Sequence, residues 1–223
     1  MKSKGKKNLM LGIGFIAAFC VWTLLIKTVD VQPAGVNGTN VGFAELNTLF
    51  HSLTGVNMTL YSITDWLGLV PVFVCMMFGF VGLSQLVKRK SLRKVDADII
   101  LLGIYYVIVI AGYLIFEMIP INYRPILING FMEASYPSST TLLVLSVMPT
   151  LVFQSELRFK NSKAKKVVHV ATIMFSVFMV IGRLVSGVHW ITDIIGSVFL
   201  SAGLYYIYKA VVLLWNSAKS FRN

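Results

Sequence analysis

Six long apolar stretches constrain this chain more than anything else in it. They cover residues 9–26, 66–87, 99–116, 138–153, 167–182 and 190–214. A helix rises ~1.5 Å per residue and the bilayer hydrocarbon is ~30 Å thick, so roughly 20 apolar residues cross it. The fourth and fifth stretches reach that length by borrowing flanking residues. Backbone surrounded by lipid must satisfy its own hydrogen bonds, so each stretch is predicted to be helical despite its glycines and β-branched residues. The residue content agrees, with 57% hydrophobic and 13% charged residues. Such a chain is neither disordered, nor a coiled coil, nor a disulfide-rich secreted module, and it makes a poor soluble enzyme.

The net charge is +11. A strongly basic chain often binds nucleic acid, but here the cations are split among short loops and the tails. Lys2, Lys4, Lys6 and Lys7 precede the first stretch. Lys88, Arg89, Lys90, Arg93 and Lys94 follow the second. Arg158, Lys160, Lys163, Lys165 and Lys166 follow the fourth, and Lys209, Lys219 and Arg222 lie at the C-terminal end. Only Lys27, Arg124 and Arg183 fall at the other ends of the stretches. This alternation predicts six spans with both termini cytoplasmic. The fold class is therefore all-α, a six-transmembrane-helix bundle forming a single domain over 1–223. The first stretch, longer than a signal-peptide core and without a small-x-small site after Ile26, is read as an uncleaved span. The outer loop 28–65 includes an amphipathic stretch, 41–53, expected to lie as a short helix at the interface. Cys20 and Cys75 both lie inside spans and read as small core residues.

The informative side chains are the polar ones on the lysine-poor side, where a charge near the bilayer is a functional hypothesis by default. Three clusters stand there: Tyr123-Arg124-Pro125, then 135–141 with Pro137-Ser138-Ser139-Thr140, then 182–193 with Arg183, His189 and Asp193. The i, i+4 spacing of His189 and Asp193 predicts one helix face, with the carboxylate accepting from one imidazole nitrogen and leaving the other free. Ser138, Ser139 and Thr140 open a helix whose free N–H groups suit an anion. Arg124 and Arg183 offer planar forks for phosphate oxygens. Together these residues describe a phosphate site with a nucleophile. His51 and His169 are not expected to be catalytic. Glu133 and Tyr136 read either as the rim of the site or as loop surface, and Asp96 and Asp98 read as the acidic start of the third span.

These residues resemble the type 2 phosphatidic acid phosphatase (PAP2) family, membrane relatives of the vanadium haloperoxidases. The family signature is Lys-x6-Arg-Pro, Pro-Ser-Gly-His and Ser-Arg-x5-His-x3-Asp. This chain has Arg124-Pro125, Pro137-Ser138-Ser139-Thr140 and Arg183-x5-His189-x3-Asp193, and the resemblance covers about residues 41–214. It implies a PAP2/vanadium-haloperoxidase-like core and a phosphohistidine on His189, with Asp193 orienting the ring. It implies that Arg124, Arg183 and the groups around Ser138, Ser139 and Thr140 hold the phosphoryl oxygens. No metal-ligand cluster is visible in the sequence, and the expected chemistry needs no metal and no cofactor.

Three positions depart from the signature. Glu117 stands for its lysine, Gly182 for the serine before arginine, and Thr140 for the second histidine. That histidine assists the leaving group in the family, help worth ~10²–10⁴ in rate. A threonine hydroxyl is a poor acid, and a phosphate leaving group needs protonation less than an alkoxide does. The expected activity is thus hydrolysis of a lipid phosphate, preferably a diphosphate such as a polyprenyl diphosphate, at the outer face of a bacterial-type plasma membrane. The expected partners are the bilayer and a membrane lipid substrate, with no nucleic acid. Alternatives are phosphotransfer through the same intermediate, and a non-catalytic lipid-phosphate binder or transporter.

Overall fold

The structure, a computed structural model, describes residues 2–220; Arg222 lies outside the described residues. The chain is helical throughout its long elements: α1 (Lys2–Thr28), α2 (Ala44–Thr54), α3 (Met58–Leu67), α4 (Leu69–Arg89), α5 (Ala97–Met118), α6 (Ser139–Arg158), α7 (Ser162–Val185) and α8 (Ile191–Ser220). Among the described residues, six helical segments are long and apolar enough to cross a membrane, α3 and α4 counting as one run from Met58 to Arg89. The spans start and stop within a few residues of the apolar stretches, except that α1 extends back through the N-terminal lysines. The outer loop is shorter than expected, because residues 58–65 belong to α3 and continue the second span outward. The amphipathic stretch forms α2, at Ala44–Thr54.

The bundle is built around α6, which packs against α4, α5, α7 and α8. Its buried face carries Val144, Val147 and Met148, which meet Leu102, Tyr105 and Tyr106 of α5 and Tyr208 of α8. Several polar side chains within this core are paired. Tyr106 Oη is 2.7 Å from Thr150 Oγ1, and Gln154 donates to Tyr208 Oη at 2.9 Å. α1 lies along α8 through small residues: a Cβ on Gly12 would meet Ile207 N at 2.9 Å, and one on Gly203 would meet Ile16 N at 3.0 Å. Close backbone approach of this kind gains van der Waals contact where lipid supplies no hydrophobic drive between helices. The outward faces of α1, α4, α5 and α7 expose large apolar side chains such as Met10, Phe73, Val107 and Met174. Cys20 is among the exposed residues rather than in the core, whereas Cys75 is half-buried.

One end of the bundle gathers Arg89, Asp96, Asp98, Arg158 and Lys165. Arg89 lies 2.7 Å from Asp96, and Arg158 reaches Asp98 at 2.5 Å. Asp96 does precede α5 but makes no capping hydrogen bond to it. Its carboxylate instead accepts from Arg89 and Gln85, and the Arg89 guanidinium holds it below its usual range. Arg124, Arg183 and His189 lie at the opposite end.

Candidate active site

The site begins with the loop between α5 and α6, which folds back on itself. Tyr123 bridges Ala134, Arg124 N–H donates to the Glu133 carbonyl at 3.1 Å, and Ser135 N–H donates to Asn122 O at 2.9 Å. This pairing sets Arg124 opposite Glu133 and Ser135 opposite Asn122, shortly before α6 begins. Tyr136 follows, through a cis bond to Pro137. It does not line a rim: it is buried, bonds Thr23 Oγ1 at 2.7 Å, and fills the space left by Gly196.

The turn between α7 and α8 carries the histidine. Gly187 has φ +69°, and a Cβ there would stand 1.9 Å from Gly55 O, so only glycine fits both the conformation and the contact. α2 and its exit fasten this turn. His51 Nε2 is 3.0 Å from Gly187 O, and Asn57 N–H donates to Ser186 O at 3.0 Å. His51 therefore supports the loop that presents His189. His169 is exposed, beside Glu156, Lys160 and Lys166 on the far side of the bundle.

His189 is 3% exposed. It precedes the first turn of α8, and its Nδ1 is 3.7 Å from Asp193 Oδ2, too long for the direct hydrogen bond that the spacing predicted. The orienting group is Ser135. His189 Nδ1–H donates to the Ser135 carbonyl at 3.2 Å, and Ser135 Oγ, 3.3 Å from Nδ1, donates a short hydrogen bond to Asp193 Oδ2. Asp193 Oδ2 also accepts from Trp190 N–H at 2.9 Å, as the third helical residue does in a capping box. Asp193 thus acts on the imidazole through Ser135 while holding the start of α8. With the proton on Nδ1, the Nε2 lone pair faces Arg183, whose Nη2 is 3.4 Å away.

Arg183 is 1% exposed. A short helix outside all three sequence clusters, α3, forms its wall. Arg183 Nη1 lies 3.5 Å from Thr64 Oγ1 and 3.6 Å from Asp65 Oδ1, and its Cζ is 4.8 Å from the Tyr61 ring centre. Arg124 Cζ is 5.8 Å from the same ring, so Tyr61 spaces the two guanidiniums and gains from both cations. Gly182 stands where the signature has serine because α3 presses there: a Cβ on it would lie 2.7 Å from Thr64 Cγ2. Arg124 pairs with Glu133 at 3.1 Å, not with Glu117. Glu117 stays in the last turn of α5, beside a small crevice lined by Tyr113, Phe116 and Pro137.

The electrostatic character of the site is that of an anion cradle. Arg124 Nε and Nη1 and Arg183 Nε are buried and have no hydrogen-bond partner among the described residues. A buried guanidinium donor left bare costs free energy, which an anion's oxygens would recover. Burial, and after it the charges of Arg124 and Arg183, hold the His189 imidazole well below its ordinary value, so the ring is neutral at physiological pH. Ser139 and Thr140 sit in the first turn of α6, where N–H groups have no partner within the helix. Ser138 belongs to a different set. Its N–H donates to Asp193 O at 3.3 Å and its hydroxyl to Thr141 Oγ1 at 3.1 Å, while its carbonyl accepts from Ser197. Ser138 locks α6 to α8, while Ser139 and Thr140 lie beside Gly68 at the end of α3.

The fold and this site define an integral-membrane, all-helical protein whose buried histidine faces two arginines at one end of the bundle. Residues 112–217 match the PAP2 superfamily. In overall structure it is similar to a transmembrane PAP2-type phosphatidylglycerolphosphate phosphatase from Bacillus subtilis, with a TM-score of 0.66 and 17% identity over 91% of this chain and 96% of that one. No curated protein sequence matches the chain.

Proposed function

We propose that this protein is a membrane phosphatase that hydrolyses a lipid phosphate, preferably a lipid diphosphate such as a polyprenyl diphosphate, through a phosphohistidine on His189. The observation that carries this reading is His189 Nε2 lying 3.4 Å from Arg183 Nη2, while Arg124 Nε and Nη1 and Arg183 Nε stay buried with no hydrogen-bond partner among the described residues. The match of residues 112–217 to the PAP2 superfamily and the likeness to a lipid phosphate phosphatase support the same class of reaction. The basic residues at the opposite end of the bundle support action at the outer face.

The phosphoryl group sits between Arg124, Arg183 and the start of α6. Nε2 attacks phosphorus, the N–P bond forms, and the bond to the lipid-side oxygen breaks. The ring, now carrying positive charge, keeps its Nδ1 proton on the Ser135 carbonyl, and the Asp193 carboxylate stabilises that charge through Ser135. Water then attacks phosphorus, releasing inorganic phosphate and restoring Nε2. The guanidiniums act at both steps, since negative charge gathers on the same oxygens.

Thr140 supplies no effective acid, so the reading favours a leaving group that departs as an anion. Wild-type protein is expected to release phosphate faster from a polyprenyl diphosphate than from phosphatidic acid. Thr140→His is expected to gain about 10²-fold on the monoester. Faster monoester hydrolysis by the wild type would overturn the preference.

The acid limb of kcat/KM is expected below the ordinary imidazole value of ~6.5. That profile reports the free enzyme, and the neutral imidazole is the active form. A lowered pKa therefore keeps the nucleophile available as pH falls through that value. An acid limb above it would contradict the buried cationic surroundings of His189.

A further inference from the structure

The end of the bundle away from the phosphate cradle holds a charged cavity of its own. It lies between the turn joining α4 to α5 and the last turns of α8, and encloses about 640 Å³, within the ~300–1,000 Å³ that small-molecule sites occupy. Arg89, Arg93, Lys94 and Lys219 line it, and Asp96 is the acid among them. That carboxylate is already engaged, with Arg89 at 2.7 Å and Arg158 at 3.4 Å. Among the described residues, Arg93, Lys94 and Lys219 form no ion pair. Like charges around one cavity repel, and an anion between them turns that cost into attraction.

Depth and wall decide the class of anion. Ile191 opens α8 beside the cradle, and Trp215 lies ~36 Å farther along it at ~1.5 Å per residue. The bilayer hydrocarbon is ~30 Å thick, so Trp215 stands at headgroup level in the opposite leaflet, where indole rings settle. Part of the cavity wall is apolar, formed by Ala97, Trp215 and Ala218. Leu92 and Trp215 are largely exposed, which gives hydrocarbon a surface next to the cations. A second basic cavity at this end, of about 440 Å³, lacks such a wall: Glu156, Lys160, Ser162, Lys165, Lys166 and His169 line it, and Lys165 pairs with Glu156 at 3.1 Å. That one suits water and salt, whereas the cavity beside α8 suits an amphiphile.

Independently of the phosphatase reading, we propose that the cavity between the α4–α5 turn and the end of α8 binds an anionic phospholipid of the cytoplasmic leaflet. Its headgroup phosphate sits among Arg93, Lys94 and Lys219, and its acyl chains lie against Leu92 and Trp215. Basic pockets between transmembrane helices on the cytoplasmic side hold such headgroups. A soluble phosphate offers the same anion, but it leaves the apolar wall uncovered. A zwitterionic lipid brings an ammonium into a cationic site and binds less well.

The test uses the full-length protein in phosphatidylcholine nanodiscs containing a phosphatidylglycerol with a diazirine near the carbonyl end of one acyl chain. Adducts are expected on Leu92, Trp215 and their neighbours, about tenfold above other lipid-facing segments at the same depth. Unlabelled phosphatidylglycerol should displace the probe about tenfold better than added phosphatidylcholine, and millimolar inorganic phosphate or glycerol phosphate should not displace it. The triple variant Arg93→Gln, Lys94→Gln, Lys219→Gln should lose about tenfold in labelling, while Lys88, Arg89 and Lys90 remain to hold the topology. Lys160→Gln, Lys163→Gln, Lys166→Gln removes the same charge from the other basic loop and should stay within twofold of the wild type. Even labelling around the bundle, or equal displacement by phosphatidylcholine, would overturn the proposal. Displacement by the soluble phosphates would overturn the lipid as ligand, and equal losses in the two triple variants would reduce the site to diffuse surface charge. Should the first variant not fold, the wild-type displacement series decides alone. The adducts map away from the cradle and need no turnover, so absent phosphate release would count against the phosphatase reading and leave this site standing.

Discussion

His189→Ala is expected to abolish phosphate release from every lipid phosphate that the wild type hydrolyses, a loss of about 10⁴-fold or more. Removal of a covalent nucleophile typically costs that much, because the remaining cradle can bind the phosphoryl group but cannot split the reaction into two easier steps. The effect should not be one of folding. His189 makes its hydrogen bond to a loop carbonyl, Ser135 O, while the turn before it is held independently by His51 and Asn57. His189→Asn, which keeps part of the volume, should lose as much activity while melting close to the wild type. Equal losses of activity and of thermal stability in both variants would mark His189 as structural.

Arg183→Lys should lower kcat/KM by about 10²–10³, the cost typical of removing one stabilising donor at an anionic transition state. The charge is kept, so the loss measures geometry. Arg183 is buried, stacked on Tyr61, and places Nη1 toward Thr64 and Asp65 and Nη2 toward His189 Nε2. A lysine presents one point charge and cannot span these positions or hold two phosphoryl oxygens in a plane. Arg183 approaches the nucleophile itself, so the loss should fall on kcat as well as on KM. A change confined to KM would place Arg183 at the rim of substrate binding and not at the reacting phosphorus.

Much of this was legible in the chain. The six spans were readable because a bilayer imposes length and apolarity on each helix separately, without reference to its neighbours. Arg124, Arg183 and His189 stood out because an ionisable group on the lysine-poor side has few structural reasons to be there. What depended on tertiary packing was not legible. The i, i+4 spacing suggested a direct His189–Asp193 hydrogen bond, but α8 begins only after Trp190, and Ser135 from another loop takes the place between them. Ser138 carried the same helix-start signal as Ser139, yet its polar groups are spent joining α6 to α8. Tyr61, Thr64 and Asp65 were missed because they fall in what read as an outer loop. Their spacing of three and four residues, on a run leading directly into a span, was the available signal. Gly182 looked like a lost serine until α3 was seen pressing against it.

The measurement that bears most directly on the account is rapid-quench trapping of the phosphoenzyme. Polyprenyl diphosphate carrying a radiolabelled terminal phosphate is mixed with the protein and stopped with alkali within one turnover. The account predicts protein-bound label that is stable to alkali, labile to acid, mapped to His189 and absent from His189→Ala. Turnover without such label, or label that persists in His189→Ala, would contradict it.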